Sequence, residues 1–469
     1  MRIEVQNNKC RVVCGPRIAI DLDKAFAIRV PGAFYAPSFR QGAWDGKKHF
    51  VTDAGYFKTG LLPQVVKFLK DSFPNEPLKL VDIRDAELDF YKAENLKSIK
   101  LRDYQQDSVN SIVNNYVENL YFPRGIVSAS TNAGKTFIAV GIFKAFKKTP
   151  TLLLINNRTL FDQFMEELPV LLGDDFGYVR AKDEKWGKFT MAMVPTLVSR
   201  IHKYDSKLAR IENVIVDECH LTTSASYNKV LTKLYNSVVR VGLSGSALDH
   251  KDKVKNQTVR EFFGDVIYNI SSKEIEKRGY SSPITVRILK GSTKPEIFGD
   301  YALEYERGII KNTTRNKSIW KKVKFLASKE RLPLMIVVKN HSHITELLRL
   351  CPKELKNDYV VNFIHHKVKA REAILRDFKE GNVDILISSM IIKIGQNMPL
   401  MKAMINAGGG DSVINTLQLL GRAKRKHESK KKTYYYDFFD QGYYLRRHSR
   451  HRIAVFKREG HKLVETYKK

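Results

Sequence analysis

The sequence predicts an α/β protein, with two tandem parallel-sheet domains behind a small α+β domain, and three features point there. From about residue 125, short β-rich runs alternate with helical patterns, the alternation that a parallel sheet with helical crossovers requires. The series occurs twice, interrupted by a polar stretch at 247–260 and a connecting segment around 271–300. The chain of 469 residues also exceeds what one hydrophobic core usually organises.

Taken in order, residues 1–97 differ from the rest. They open on the β-like IEVQNNKCRVVCG, pass through a Gly-, Pro- and aromatic-rich middle, and reach an amphipathic helix near Leu62 to Asp71. A separate α+β domain is expected there. Residues 98–280 supply the runs GIVSAS, TLLLINN at 151, FTMAMVP at 189, NVIVDE at 213 and VVRVGLSGS at 238. Residues 281–469 supply PLMIVVK at 333, DYVVNFIH at 358, VDILISS at 383, KAMINAG at 402 and TYYYDFF at 433. Between them the run Lys367 to Lys379 places Val368, Ile374, Leu375 and Phe378 on one helical side, a face made for burial.

Charge narrows the partner. The chain carries 81 Lys and Arg against 50 Asp and Glu, a net charge of +31 with pI near 9.8. Such an excess suits an anionic polymer, nucleic acid before a membrane surface, because it is spread along the chain rather than gathered on one amphipathic helix. The start MRIEVQNNKC has no charged-then-apolar layout, and no apolar run approaches bilayer length, so a cytoplasmic protein is expected, host cytoplasm if phage-encoded. Four cysteines, Cys10, Cys14, Cys219 and Cys351, are too few and too scattered for a disulfide framework or a four-ligand zinc site.

Chemistry enters at Ala129-Ser-Thr-Asn-Ala-Gly-Lys-Thr136, directly after an apolar run. A strand ending in a tight Gly-containing loop before a helix turns backbone N–H groups and a helix N-terminus toward one point, which suits polyphosphate. Lys135 would reach the outer phosphates and the Thr136 hydroxyl would bind Mg²⁺. The strict pattern begins with Gly, and Ala129 stands there instead. NVIVDECH then sets Asp217 and Glu218 at the end of an apolar strand. Asp217 would hold Mg²⁺ through water, and Glu218 would orient and deprotonate an attacking water. In Gln418-Leu-Leu-Gly-Arg-Ala-Lys-Arg425, Arg422 and Arg425 share a helix face. Their planar forks could clamp phosphoryl oxygens, or they could belong to a solvated basic surface.

The phosphate loop, DECH, SGSA at 244–247 and QLLGRAKR resemble motifs I, II, III and VI of superfamily 2 helicases and translocases, in that family's order. LRDYQQDSV at 101–109 resembles the adenine-reading Q motif, and INNRTLFDQF at 155–164 resembles motif Ia. The resemblance covers about 100–440 and implies RecA-like domains that bind ATP and Mg²⁺ and move along nucleic acid. It implies that Gln105 reads adenine with Arg102 packing on the base. Thr131, Asn132, Ala133, Gly134, Lys135 and Thr136 would cradle phosphate, and Ser244 and Ser246 would couple the ATP site to the strand-binding face. Gly395, in motif V, would join the nucleotide site, Gln418, Arg422 and Arg425 would complete it from the second domain, and Arg158 and Thr196 would touch the strand. Motif III reads SGS rather than the common SAT, and Gln396 replaces an acidic or small polar residue.

YAPSFRQGAWDGKKHFV at 35–51 and GLLPQVVKFLKD at 60–71 resemble the N-terminal domain of UvsW-type phage helicases. That resemblance implies an ATP-dependent DNA helicase, expected to be monomeric, that remodels branched DNA and also unwinds RNA:DNA hybrids. An RNA helicase and a motor-fold scaffold without unwinding are the rival readings. Arg40, Lys47 and Lys48 would grip DNA, while Trp44 is either a turn residue or a core anchor. The basic stretch Lys424 to Lys469, densest at RRHSRHR (446–452), could track phosphates or be a solvated helix or a frayed tail.

Overall fold

The computed structural model describes residues 1–84, 88–118, 122–130, 133–291, 299–365, 367–389, 398, 400–411, 416 and 432–468. They form two compact units, Met1–Ala129 with Gly134–Ile270, and Ser271–Lys469, with which Ser130–Ala133 groups. Among the described residues no helix is long and apolar enough to cross a membrane.

The first unit holds three sheets. A four-stranded one has the order β5-β2-β1-β6, from β1 (Arg2–Val5), β2 (Lys9–Val13), β5 (Tyr56–Lys58) and β6 (Lys79–Asp82). A ribbon pairs β3 (Ala27–Arg29) with β4 (Lys47–His49). The helix Leu62–Ser72 buries Leu62, Val65 and Leu69 against this small domain, as its amphipathic spacing dictates. The same core takes in Phe122 and Val254 from outside the N-terminal hundred residues.

The large sheet of this unit runs β10-β9-β11-β8-β12-β13-β7-β14. Its strands are β7 (Arg124–Ala129), β8 (Thr151–Ile155), β9 (Phe176–Arg180), β10 (Asp183–Lys185), β11 (Phe189–Met193), β12 (Asn213–Asp217), β13 (Val239–Ser244) and β14 (Val266–Ile270). All pairings are parallel except β9 with β10. The central strands β8, β12 and β13 are buried along their whole length, because helices cover both faces of a parallel sheet.

The second unit holds a seven-stranded parallel sheet, β17-β18-β16-β19-β20-β15-β21. The strands are β15 (Ile284–Lys290), β16 (Leu334–Val338), β17 (Val361–Ile364), β18 (Ile385–Ser389), β19 (Ala403–Asn406), β20 (Thr433–Phe439) and β21 (Lys462–Glu465). Two apolar cores lie on its opposite faces.

Three expectations are corrected. The segment taken as a connector around 271–300 contains β15, whose partners β20 and β21 come from the far end of the chain; its β-branched-rich run ITVRILK is the local signal for that strand. The helix expected from Lys367 begins at Arg371, so Leu375 and Phe378 are buried in it while Val368 precedes it. From Lys432 to Lys468 the C-terminal stretch is not a frayed tail: the helix Tyr443–Arg458 buries Leu445, His448, Arg452, Ile453 and Phe456, and β21 extends the sheet. Arg452, read as part of a basic surface block, is 3% exposed and pairs with Asp437 at 2.8 Å.

Candidate nucleotide site

Sheet order creates the site. β13 lies between β12 and β7, with Asp217 opposite Leu243 and Ser244 opposite Ser128. The carboxyl ends of β7, β12 and β13 therefore meet at one sheet edge, where open α/β sheets bind ligands. Gly134, at φ 71°, closes the loop after β7 and opens the helix Lys135–Ala145, in whose first turn Thr136 is buried. An L-residue would be strained at that φ, and a Cβ there would lie 2.5 Å from Gln105 Nε2. Gln105 is itself buried, and its Oε1 accepts from the Arg102 N–H at 3.0 Å. The Arg102 guanidinium donates to the Tyr104 hydroxyl at 2.9 Å. Thus the glutamine flagged as an adenine reader packs against the loop glycine.

Lys135 Nζ lies 2.7 Å from Glu218 Oε1 and 3.3 Å from Asp217 Oδ1. Burial by itself would depress the ammonium, but the charges of Asp217 and Glu218 hold it above its ordinary range. Burial would likewise raise Glu218, yet Lys135 and then His220 keep its carboxyl well below the usual carboxylate range. Asp217 goes the other way. Burial, reinforced by the Glu218 charge, outweighs the pull of Lys135 and raises it, the expected response of a carboxyl out of water beside a like charge.

Glu218 sits at φ 53°, ψ 53°, in the left-handed region, which turns its side chain back over the end of β13. There Ser244 Oγ donates to Glu218 Oε2 at 3.2 Å and accepts from the Ser246 N–H at 3.2 Å. His220 Nδ1 lies 3.0 Å from the Ser244 hydroxyl and 3.3 Å from Glu218 Oε2. His250 Nε2 in turn reaches the His220 carbonyl at 3.1 Å. Behind the turn, Cys219 fills the space that a Cβ on Gly242 would need, at 2.8 Å from Sγ. His220 and His250 were missed in the sequence, although the H of DECH was a signal for the first.

A divalent cation fits this donor set. Asp217 Oδ1 is buried with the Lys135 ammonium 3.3 Å away, and the Thr136 hydroxyl is the second oxygen at the loop. Among the described residues no cluster of three or more His, Cys, Asp or Glu could hold a metal alone. Mg²⁺ usually takes one or two protein ligands and completes its shell with phosphate and water, so Thr136 and Asp217 would suffice to hold it.

Other expected residues lie elsewhere in the first unit. Arg40 donates to the Phe34 carbonyl at 3.2 Å, and Lys47 is exposed. Lys48 is tied to Thr258 Oγ1 at 2.9 Å and Glu261 Oε2 at 3.5 Å. Trp44 is half-buried and its indole N–H donates to the Lys47 carbonyl at 2.7 Å, so it pins the turn rather than filling the core. Arg158 is exposed at the first position of the helix Arg158–Leu172, and the Thr196 hydroxyl accepts from the Ala181 N–H at 3.1 Å. Thr131, Asn132, Gly395, Gln396, Gln418, Arg422 and Arg425 lie outside the described residues.

Comparison with known proteins agrees with this construction. Three family models match: "DNA helicase UvsW, N-terminal" over residues 4–73, "Type III restriction enzyme, res subunit" over 98–247 and "Helicase conserved C-terminal domain" over 318–427. The ATP-dependent DNA helicase uvsW of Enterobacteria phage T4 is 24% identical, with 92% of this chain and 88% of that protein aligned. The DNA 3'-5' translocase XPB2 of Sulfurisphaera tokodaii is also 24% identical, over 70% of this chain and 80% of its own length. Among solved structures, an ATP-dependent Type ISP restriction-modification enzyme, LlaBIII, bound to DNA, shares the fold at a TM-score of 0.57 and 13% identity. It covers 85% of this chain, which spans 34% of it.

Proposed function

We propose that this chain, a superfamily 2 ATP-dependent DNA helicase of the UvsW type, acts on branched DNA such as forks and four-way junctions, with RNA:DNA hybrids as a further substrate. The observation that carries the motor reading is the Lys135–Glu218 contact at 2.7 Å beside Asp217. It puts a phosphate-seeking ammonium and a base-competent carboxylate at one sheet edge. The match of residues 4–73 to the UvsW N-terminal family supports the branched-DNA reading.

In the reaction, Lys135 would exchange Glu218 for the outer phosphates of ATP, which frees the carboxylate to orient water for in-line attack. Glu218 accepts the water proton. Its Oε2 is held by Ser244 and His220, so Oε1 is the atom left to face the water. Thr136 and Asp217 would hold Mg²⁺, which supplies charge neutralisation at the phosphates. Gln105, braced on Gly134, would report adenine to the loop. Ser244 and Ser246 share a hydrogen bond with the same network, so they are the coupling residues of this reading. Gly395, Gln418, Arg422 and Arg425 keep the roles that the family resemblance implies, and Arg40, Lys47, Arg158 and Thr196 those of strand contacts. Lys48, half-engaged by Glu261, contributes least to DNA. Recombination and repair are the processes such an activity serves.

The decisive experiment measures ATP hydrolysis and unwinding side by side on single-stranded DNA, blunt duplex, a four-way junction and an RNA:DNA hybrid. Junction-selective unwinding is expected. Equal unwinding of blunt duplex and junction would remove the branched-DNA reading and leave a general DNA helicase.

A further inference from the structure

Four cations converge on the second unit away from every motif discussed above. Tyr434 and Tyr436 stand two residues apart on β20 and so point to one face. The Arg331 guanidinium lies 3.8 Å from the centre of the Tyr434 ring, and Lys432 Nζ is 5.6 Å from it. Lys322 Nζ is 5.5 Å from the Tyr436 ring and 4.8 Å from that of Phe325. Arg287, on β15, stands opposite Tyr436 in the strand register.

Among the described residues none of the four cations has an acidic partner, and Arg287 Nε is buried with no acceptor. Burial first, and then the charges of Arg287, Arg331 and Lys321, press the Lys322 ammonium below its ordinary range. Cation–π contacts to Tyr434, Tyr436 and Phe325 offset part of this repulsion; an anion would remove it.

The cluster sits at a telling edge of the sheet. Arg331 precedes β16 and Lys432 precedes β20, so both lie where these parallel strands begin. The carboxyl ends of β18 and β19 lie at the opposite edge of this parallel sheet. Lys432 is exposed, Arg287, Lys322 and Arg331 are half-exposed, and Phe325 is 44% exposed. Tyr436 is buried beneath the cluster, so the surface it offers is the row of partly exposed cations flanked by Tyr434 and Phe325, a pattern that suits a phosphate backbone.

We propose that Arg287, Lys322, Arg331 and Lys432 form a second contact surface for the phosphates of a DNA strand, outside the motor motifs. The proposal rests on DNA being the substrate and is independent of the branched-DNA reading. The test uses the full chain, with labelled single-stranded and duplex DNA titrated at several salt concentrations. Lys322→Gln combined with Arg331→Gln is expected to weaken binding about tenfold at low salt. It should also flatten the slope of log affinity against log salt by about 1.4–1.8, two phosphate contacts' worth. Lys432→Gln, which removes only an exposed charge, should flatten it by about half as much. DNA-independent ATP hydrolysis and the melting temperature of the Lys432→Gln protein should not change. Unaltered slopes in both proteins would reduce the cluster to a solvated patch. Displacement of DNA by pyrophosphate at matched ionic strength, lost in the double variant, would make it a small-anion site and equally overturn the proposal.

Discussion

Glu218 holds a left-handed backbone conformation at φ 53°, which costs a non-glycine residue on the order of 1–3 kcal/mol and persists only where the surroundings enforce it. Here Lys135, Ser244 and His220 all engage its carboxylate, and Cys219 is wedged against Gly242 behind it. Oε2 is thus held by Ser244 and His220, and Oε1 is the oxygen that departure of Lys135 toward phosphate would free. Glu218→Gln keeps the shape and one acceptor oxygen, which can serve Ser244 or Lys135 but not both, and removes the proton acceptor. Nucleotide binding should persist while DNA-stimulated hydrolysis falls by about 10²–10⁴-fold, the usual worth of a positioned general base. Measured turnover within threefold or so of the parent protein, a loss of under about 1 kcal/mol, would take the general-base role away from Glu218.

At the scale of elements, the second unit contains a titration that has nothing to do with ATP. The helix His341–Arg349 buries His343 completely, and His343 Nε2 donates to Asn316 Oδ1, 3.0 Å away on the helix Thr313–Ala327. Asn316 passes the bond on to the Ile310 carbonyl at 2.8 Å, and Trp320 Nε1 donates to the Leu347 carbonyl at 2.9 Å. The two helices are pinned by neutral groups. His343 Nδ1 has no partner, and burial, followed by the Arg315 charge, pushes the imidazole down to about 3. The sign follows from linkage. Between about pH 6.5 and 3 the unfolded chain binds a proton at this site and the folded chain does not, so stability falls as pH falls through that window, and is unaffected above it. The slope is about 1.4 kcal/mol per pH unit. His343→Gln retains a donor for Asn316 and cannot titrate. Urea unfolding of the second unit between pH 7 and 5 should therefore lose one proton's worth of slope in the variant, and an identical slope in both proteins would exclude His343 as its source.

For the whole molecule, what was legible in the sequence is what is local. ASTNAGKT, DECH and SGSA each sit within a few residues of a strand end, so their spacing announced them, and apolar runs marked the central strands. The rest depends on contacts that no window contains. Lys48 and Lys58 share Glu261, two hundred residues on. Arg124 and Arg240, both buried, reach Asn7 O and Asn8 Oδ1 in the β1–β2 turn. Gln64 binds Asp265 at 3.1 Å and Gln257 at 2.9 Å. These contacts make the N-terminal sheet and the large sheet parts of one unit. Their tightest point is Gly60, where a Cβ would lie 2.2 Å from the Arg260 carbonyl oxygen and 2.5 Å from that of Glu261. Backbone cannot yield there as a side chain would, so Gly60→Ala should cost about 2 kcal/mol, as overpacking does, and the cost should fall on the seam. The three tryptophans allow this to be read. Trp44 reports the N-terminal domain, Trp186 packs on the large-sheet core, and Trp320 lies in the second unit. In single-tryptophan proteins, the Trp44 and Trp186 urea transitions should coincide in the parent chain. In Gly60→Ala the Trp44 transition should move to lower urea ahead of Trp186, while Trp320 holds its midpoint. Unmoved transitions for both Trp44 and Trp186 would mean that the seam does not carry the coupling, and that the N-terminal domain folds independently of the motor lobe against which it packs.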